Sequence, residues 1–529
     1  MRASLFLVGV SAIATTAVAQ AQKVVPLSFS RARPEHEPEH RHKREHHSVG
    51  KRAGTYSQEL NNNLTGGGYY AQVALGTPPQ PVTLILDTGS SDVWVLDRHA
   101  DLCESRSLQS LYGSCLSTYE PADSASYQLV DADAFSIQYL DSSGAEGDYI
   151  KDTLHVAGAS IAALQVGLAE NSSINSGLLG IGFNANVAAA KPYPNIIDLL
   201  VDQHLIGSKA YSLYLDDLYA ETGTVLFGGI DTKKFIGQLK AVDILPDARS
   251  KTFSSFTVSL GSLAVSTGPG ADGADLLGGA VPVILDSGTT LSYLPSSVAR
   301  DVYEAFNAVD DTAVTGFVYV SCGLLSSQKD TTLNFQFGGQ DGPLIRVPID
   351  EVVLDNIKGY IDIGLEIPDL PFDDVCSFGI QSLSGIYLLG DTFLRSAYVV
   401  YDLNNKKIGL AQANVNATGT NVMEITTSGI PLVSGVAAQE TPTPSSRSDD
   451  QGDNQDDDQD DNHHDQGGGN QGGNDTAADG NSGTGSPPAD PSSSSNAAPR
   501  TVPALNWEAT AVLLVTTFFS LLGAGLFAL

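Results

Sequence analysis

The feature that most constrains this chain is a short pattern that occurs twice. Leu84-Ile85-Leu86-Asp87-Thr88-Gly89-Ser90 returns as Val283-Ile284-Leu285-Asp286-Ser287-Gly288-Thr289. Farther along, Leu178-Leu179-Gly180 returns as Leu388-Leu389-Gly390 in the same relative order. An internal repeat of this kind is the signature of two related structural units. The intervening sequence agrees on strands. From about 66 to 415, Val/Ile/Leu/Tyr runs alternate with Gly, Asp, Ser and Pro clusters. Examples are Tyr69–Leu75, Val82–Leu86, Val281–Leu285 and Ala397–Tyr401, and the best helical patches are Ile196–His204 and Ser297–Ala308. The expectation is a mainly β fold in two lobes.

The repeated pattern also carries chemistry. An apolar strand delivers each Asp to the end of a buried element, and the following Gly allows a tight turn. One Asp-Thr-Gly is ordinary turn material. Two copies in facing lobes bring Asp87 and Asp286 together. Adjacent carboxylates do not both ionise readily, so they share a proton and titrate as a pair. The ionised member can take a proton from water. The protonated member can polarise a carbonyl and later protonate a leaving nitrogen. No metal or other cofactor is needed. The region also offers little for a Ser/His or Cys/His mechanism, because its histidines, His99, His155 and His204, stand in no nucleophile motif.

Several motifs in order resemble the pepsin-like aspartic protease family over residues 66–415. Asp87-Thr88-Gly89-Ser90-Ser91-Asp92-Val93-Trp94 is similar to its first active-site signature, and Ile284-Leu285-Asp286-Ser287-Gly288-Thr289-Thr290 to its second. Phe227-Gly228-Gly229-Ile230-Asp231 and Leu389-Gly390-Asp391-Thr392-Phe393-Leu394-Arg395 are similar to further family segments. The resemblance implies a bilobal fold with the active site in the cleft between the lobes. It implies endopeptidase activity with Asp87 and Asp286 catalytic, and Ser90 and Thr289 orienting their outer oxygens. Tyr139 would be the flap tyrosine, partnered by Trp94. Tyr139, Asp141, Gly288 and Thr290 would contact substrate. The family usually has Gly after the flap tyrosine, where this chain has Leu140. Asp141 is either a solvated turn residue or an attractor for Lys or Arg in a substrate. A catalytically inert surface binding protein on the same fold is the competing reading.

The rest of the chain places that body in a secretory context. Residues 1–19 read as a signal peptide, with Arg2, an apolar run and Ala17-Val18-Ala19. Residues 20–52 read as a propeptide ending at the dibasic pair Lys51-Arg52, with cleavage after Arg52. It holds His36, His40, His42, His46 and His47, which titrate in the range where secretory compartments acidify. The lobes are expected at 53–243 and 244–420. Cysteine usage suits an oxidising compartment, and proximity pairs Cys103 with Cys115 and Cys322 with Cys376. Asn63, Asn171, Asn416 and Asn474 begin glycosylation sequons. Residues 421–496 read as a disordered polar and acidic stalk, because beyond about 440 Ser, Asp, Gln, Gly, Asn and Pro dominate, a composition that cannot bury a core. The apolar stretch Ala509–Leu529 follows small residues and a short spacer. That order reads as a GPI-attachment signal at Asn496, with 497–529 removed; a retained transmembrane helix is the alternative. The formal net charge of −33 over 529 residues argues against nucleic-acid partners. The expected partners are polypeptide substrates and a membrane, the latter through a GPI anchor on a monomeric protein. The expected site is the plasma membrane, with the cell wall as the alternative. The whole layout resembles the fungal yapsin type, which tends to cut after basic residues.

Overall fold

The structure is a computed structural model that describes residues 23–30, 68–220, 222–268, 273–362 and 364–437. The signal peptide, the histidine cluster, Arg52, Asn63, Asn474, the polar stretch beyond 437, Asn496 and the apolar C-terminal stretch lie outside the described residues.

Strands in the first half are β1 (Val25–Ser30), β2 (Tyr70–Leu75), β3 (Gln80–Asp87), β4 (Val93–Leu96), β5 (Gln128–Gln138), β6 (Gly144–Val156), β7 (Ala159–Ser172), β8 (Gly177–Gly180), β9 (Ala210–Tyr214), β10 (Thr222–Phe227), β11 (Gly229–Asp231) and β12 (Phe235–Asp243). The second half contributes β13 (Thr257–Ser266), β14 (Val281–Leu285), β15 (Ser292–Leu294), β16 (Val309–Asp310), β17 (Val318–Ser321), β18 (Thr332–Phe337), β19 (Leu344–Pro348), β20 (Val353–Leu354), β21 (Val375–Phe378), β22 (Ile380–Ser382), β23 (Leu388–Leu389), β24 (Ala397–Asp402), β25 (Lys407–Ala413) and β26 (Val422–Glu424). The two helical patches read from sequence are helices Ile196–Asp202 and Ser296–Phe306. The first is closed by a capping box in which Asn195 and Asp198 satisfy each other's backbone N–H groups.

One thirteen-stranded sheet runs β12-β25-β24-β9-β10-β1-β2-β3-β8-β4-β7-β6-β5. A seven-stranded sheet, β19-β18-β13-β14-β23-β15-β22, forms the second lobe. The two lobes repeat one local topology. In the first, β3 pairs in parallel with β8, and β8 pairs antiparallel with β4. In the second, β14 pairs in parallel with β23, and β23 pairs antiparallel with β15. The repeated apolar-apolar-Gly segments are therefore the strands that thread beside each Asp strand. Their glycines are needed for that approach. A Cβ on Gly180 would lie 2.5 Å from the Asp92 carbonyl oxygen, and one on Gly390 would lie 2.2 Å from that of Thr289.

Two features lie outside the strand-rich span read from sequence. β1 comes from the segment read as propeptide, yet it sits between β10 and β2. Six residue pairs join it to β10, from Val25↔Phe227 to Ser30↔Thr222. At the other end, residues 414–437 form a strap across β11 and β12. β26 pairs with β11, Leu239 N donates to Val433 O at 3.0 Å, and Gly237 N donates to Val436 O at 2.9 Å. Ile425 in this strap is fully buried. The expected second-lobe limits of 244–420 also meet a shared element, because β24 and β25 lie beside β9 and β12 in the large sheet. Among the described residues, no helix is long and apolar enough to cross a membrane.

Candidate active site

The two Asp-hydroxyl-Gly turns meet where the lobes join. Thr88 Oγ1 donates to Leu285 O at 3.1 Å and accepts from Ser287 N at 2.9 Å. Ser287 Oγ donates to Leu86 O at 3.0 Å and accepts from Thr88 N at 3.2 Å. Each hydroxyl thus reaches across to the other lobe's Asp strand. Four reciprocal hydrogen bonds hold the turns in register, all buried, where such bonds are strongest.

Asp87 and Asp286 are both fully buried. Asp87 Oδ1 accepts from Gly89 N at 2.7 Å, and Asp286 Oδ1 accepts from Gly288 N at 3.0 Å. Thr289 Oγ1 donates to Asp286 Oδ2 at 2.8 Å. The matching contact on the other side is looser. Ser90 Oγ and Asp87 Oδ2 are buried without a well-formed hydrogen bond, although the hydroxyl is near enough to favour the ionised carboxylate. Burial raises both carboxyls above the ordinary range, and each affects the titration of the other. Asp286 is raised further, because the charge of Asp87 adds to its burial. A pair in this state holds one proton more readily than none. The arrangement can therefore present a base and an acid to one water molecule and one carbonyl.

β5 and β6 form a hairpin whose turn carries Tyr139, Leu140 and Asp141. Tyr139 is buried, and its hydroxyl accepts from Trp94 Nε1 at 2.9 Å. Burial, and next the charge of Asp87, push the Tyr139 phenol well above its usual range. Leu140 is 38% exposed at the turn. Asp141 Oδ1 accepts from Ser143 N at 2.8 Å and Ser143 Oγ at 2.6 Å, which fixes the turn. Its Oδ2 is buried with no partner, and burial raises the carboxyl. Thr290 stands at the edge of the second turn, its carbonyl accepting from Thr392 N at 3.1 Å.

Sequence reasoning passed over Asp92. It is fully buried. Its Oδ1 accepts from Tyr149 at 3.0 Å and Tyr193 at 2.5 Å, and its Oδ2 accepts from Ala188 N at 2.7 Å. Asp92 thereby ties β4, β6 and the 184–195 loop together. The same loop donates from Asn186 Nδ2 to Gly89 O at 3.1 Å. A second carboxylate five residues after Asp87, directly before the apolar strand Val93–Leu96, was the available signal; its partners are too distant in sequence to be inferred.

The remaining site residues sit away from the dyad. Cys103–Cys115 and Cys322–Cys376 are disulfide-bonded, with Cα separations of 5.4 and 5.1 Å. Asn171 and Asn416 are exposed, and Asn416 Nδ2 donates to Asp217 Oδ2 at 2.5 Å.

Residues 68–413 match the family model described as eukaryotic aspartyl protease. The chain belongs to the eukaryotic aspartyl protease family. Among curated relatives, the probable aspartic-type endopeptidase opsB of Aspergillus oryzae is 37% identical over 414 residues, 76% of this chain and 79% of the relative. The OPSB endopeptidase of Trichophyton verrucosum is 40% identical over 400 residues, 73% and 77% of the two chains. Candidapepsin of Candida tropicalis is 32% identical over 375 residues, 70% and 85%. The crystal structure of the aspartic proteinase from Irpex lacteus aligns with a TM-score of 0.52 at 22% identity, covering 68% of this chain and 97% of that one, and supports the fold. This aspartyl protease is thus an aspartic-type endopeptidase, similar to fungal enzymes. It acts on polypeptides.

Proposed function

We propose that the enzyme hydrolyses peptide bonds with a water held between Asp87 and Asp286, Asp87 acting as base and Asp286 as acid. The observation that supports this is the paired geometry of the two turns, which buries both carboxyls, holds each Oδ1 on its own turn's glycine N–H and, by burial, raises both so that the pair retains a proton. Ser90 and Thr289 orient the outer oxygens. Trp94 holds Tyr139 so that the β5–β6 turn closes over substrate and excludes water. Tyr139, Asp141, Gly288 and Thr290 line the bound peptide.

The enzyme prefers Lys or Arg beside the scissile bond. Asp141 Oδ2 supports this, as a buried acceptor on the β5–β6 turn with no hydrogen-bond partner among the described residues. A substrate cation would pair with it and restore its ionised state. Acidic residues outnumber basic ones more than two to one between 53 and 420, which aids encounter with basic substrates. Peptide-library cleavage should show Lys/Arg enrichment that Asp141→Asn lowers roughly tenfold, the scale of a lost charged hydrogen bond. A library profile without that enrichment refutes the preference.

The protein is secreted, processed after Arg52, glycosylated at the four sequons and GPI-anchored through Asn496, and it trims or sheds cell-surface and secreted proteins. The sequence order of signal, dibasic site, catalytic body, polar stretch and apolar tail supports this reading. A phosphatidylinositol-specific phospholipase should release the enzyme from intact cells; activity that stays cell-bound after treatment counts against the anchor.

A further inference from the structure

We propose that Asn186 is a positioning residue for Asp87: its side-chain amide holds the carbonyl of Gly89 and, through the Gly89–Ser90 peptide, fixes the backbone donors that face the carboxylate. This role rests on the reading of Asp87 as the base. Asn186 stands outside both active-site signatures, 97 residues beyond the glycine it reaches.

The backbone gives the first reason. The segment 180–186 lies against the turn that runs from Asp87 to Asp92. Ile181 N donates to Asp87 O at 2.9 Å, Gly182 N to Ser90 O at 2.9 Å and Gly180 N to Asp92 O at 3.1 Å. The approach is close, since a Cβ on Gly182 would lie 2.7 Å from the Ser90 carbonyl oxygen. The Gly89 carbonyl is met by a side chain instead, with Asn186 Nδ2 donating at 3.1 Å. A carbonyl only accepts, so the Asn186 amide must turn its nitrogen toward it. Of these contacts, this is the one that a substitution can remove while leaving the backbone bonds in place.

Peptide chemistry gives the second. The C=O of Gly89 and the N–H of Ser90 belong to one planar unit. Asp87 Oδ1 accepts from Gly89 N at 2.7 Å, and the Ser90 N–H also favours the ionised carboxylate. A donor placed on a peptide's carbonyl polarises the unit and strengthens its N–H as a donor, by roughly 10–30%. Asn186 therefore acts on Asp87 from the far side of the peptide. It favours the ionised carboxylate and holds the turn at one angle.

The third reason is that Asn186 is itself held. It ends a short 3-10 turn, Asn184–Asn186, and its own N–H donates to Phe183 O at 2.9 Å. Before it, Asn195 Nδ2 donates to Gly182 O at 2.9 Å. After it, Ala188 N donates to Asp92 Oδ2 at 2.7 Å and Tyr193 to Asp92 Oδ1 at 2.5 Å. The loop is fastened on both sides of Asn186, so the amide meets the Gly89 carbonyl already oriented. Its neighbour Asn184 offers a comparison within the same turn. Asn184 is exposed, and its Nδ2 donates to Asp198 Oδ2 in the following helix at 2.7 Å.

The experiment compares Asn186→Ala, Asn186→Asp and Asn184→Ala in the active enzyme, reading kcat, KM and the pH profile of kcat/KM on one peptide substrate. Asn186→Ala should lower kcat about tenfold with KM changed by less than about twofold, because the turn is disturbed and the bound peptide is not. Loss of the donor raises the proton affinity of Asp87, so the acid limb should move up by about 0.3 pH unit. Asn186→Asp keeps the shape but turns oxygens toward the Gly89 carbonyl, and should move the limb at least as far. Asn184→Ala should leave kcat and both limbs where they are. An unmoved pH profile in both Asn186 variants, or an equal shift from Asn184→Ala, overturns the proposal. The direction tests the underlying reading separately. A shift of the alkaline limb in place of the acid limb would uphold Asn186 as the positioning residue and refute Asp87 as the base, because the protonated form of Asp87 would then be the working one.

Discussion

The two Asp-hydroxyl-Gly turns share a backbone but not an environment. On the first, Asp87 is followed five residues later by Asp92, whose carboxylate gathers two phenols and a backbone N–H. On the second, the matching position is Leu291, packed with Leu218, Ile284 and Tyr293 in an apolar cluster. The first turn connects through Trp94 to Tyr139 on the β5–β6 turn. The second instead has the tighter hydroxyl contact, from Thr289 to its own aspartate. Duplication supplied the frame that makes the carboxyls face each other. Divergence then gave each carboxyl different neighbours and placed the β5–β6 turn on one side only. Two identical halves would hold a shared proton equally and give neither carboxyl a fixed role.

The largest test of that asymmetry is Asp286→Asn. Activity should fall by about 10²–10⁴ in kcat, the usual worth of a general acid or base, with KM little changed. Stability should move the other way. A carboxyl whose folded value is raised binds its proton more tightly in the native state, so its contribution to stability is lost as pH rises past the unfolded carboxylate range. The variant removes that penalty. Its denaturation midpoint should therefore exceed that of the wild type at neutral pH and converge with it in strong acid. A midpoint difference independent of pH would show that Asp286 is not raised.

A smaller effect comes from making the halves alike. Asp92→Leu leaves the Tyr149 and Tyr193 hydroxyls and Ala188 N without their acceptor. Unpaired buried donors cost about 1–3 kcal/mol each, so thermal or urea unfolding should show about 3 kcal/mol of destabilisation. Asp92→Asn keeps an acceptor and should recover much of it. Equal stability for Asp92→Leu and wild type would remove Asp92 from the account.

The smallest expected effects separate the two outer hydroxyls. Thr289→Ala removes a bond that favours ionised Asp286, so the alkaline limb of the kcat/KM profile should move to higher pH. Ser90→Ala should move the acid limb upward through Asp87, but by less, because its contact is poorly formed. Equal shifts would contradict the difference in geometry.

Much of this was legible because it is local. The Asp strands, the turns and the threading glycines each declare themselves within a few residues, and repetition gives them their pairing. Tyr139 and Trp94 followed from family resemblance rather than from the residues themselves, since either could have been an ordinary core aromatic. What the sequence hid is non-local. Asp92 finds partners 57 and 101 residues away, and no pattern near it announces them. β1 was hidden differently. Val25-Pro26-Leu27-Ser28-Phe29-Ser30 alternates as a strand should, but it precedes a charged segment and a dibasic pair, which drew it into the propeptide. The strap was masked by its position after the last family motif, although its apolar residues Ile425, Ile430 and Val433 have a core to join.

That strap has a mechanical meaning. Beyond Ala413 the chain is laced to the back of β11 and β12 by separate short contacts: Thr232 N to Asn421 O, Ile425 N to Gly228 O, Leu239 N to Val433 O and Gly237 N to Val436 O. A pull on the C-terminal end loads the outermost of these first. Each must open before tension reaches β25, the next strand inward. The lacing would therefore yield stepwise from that end while the cleft keeps its shape.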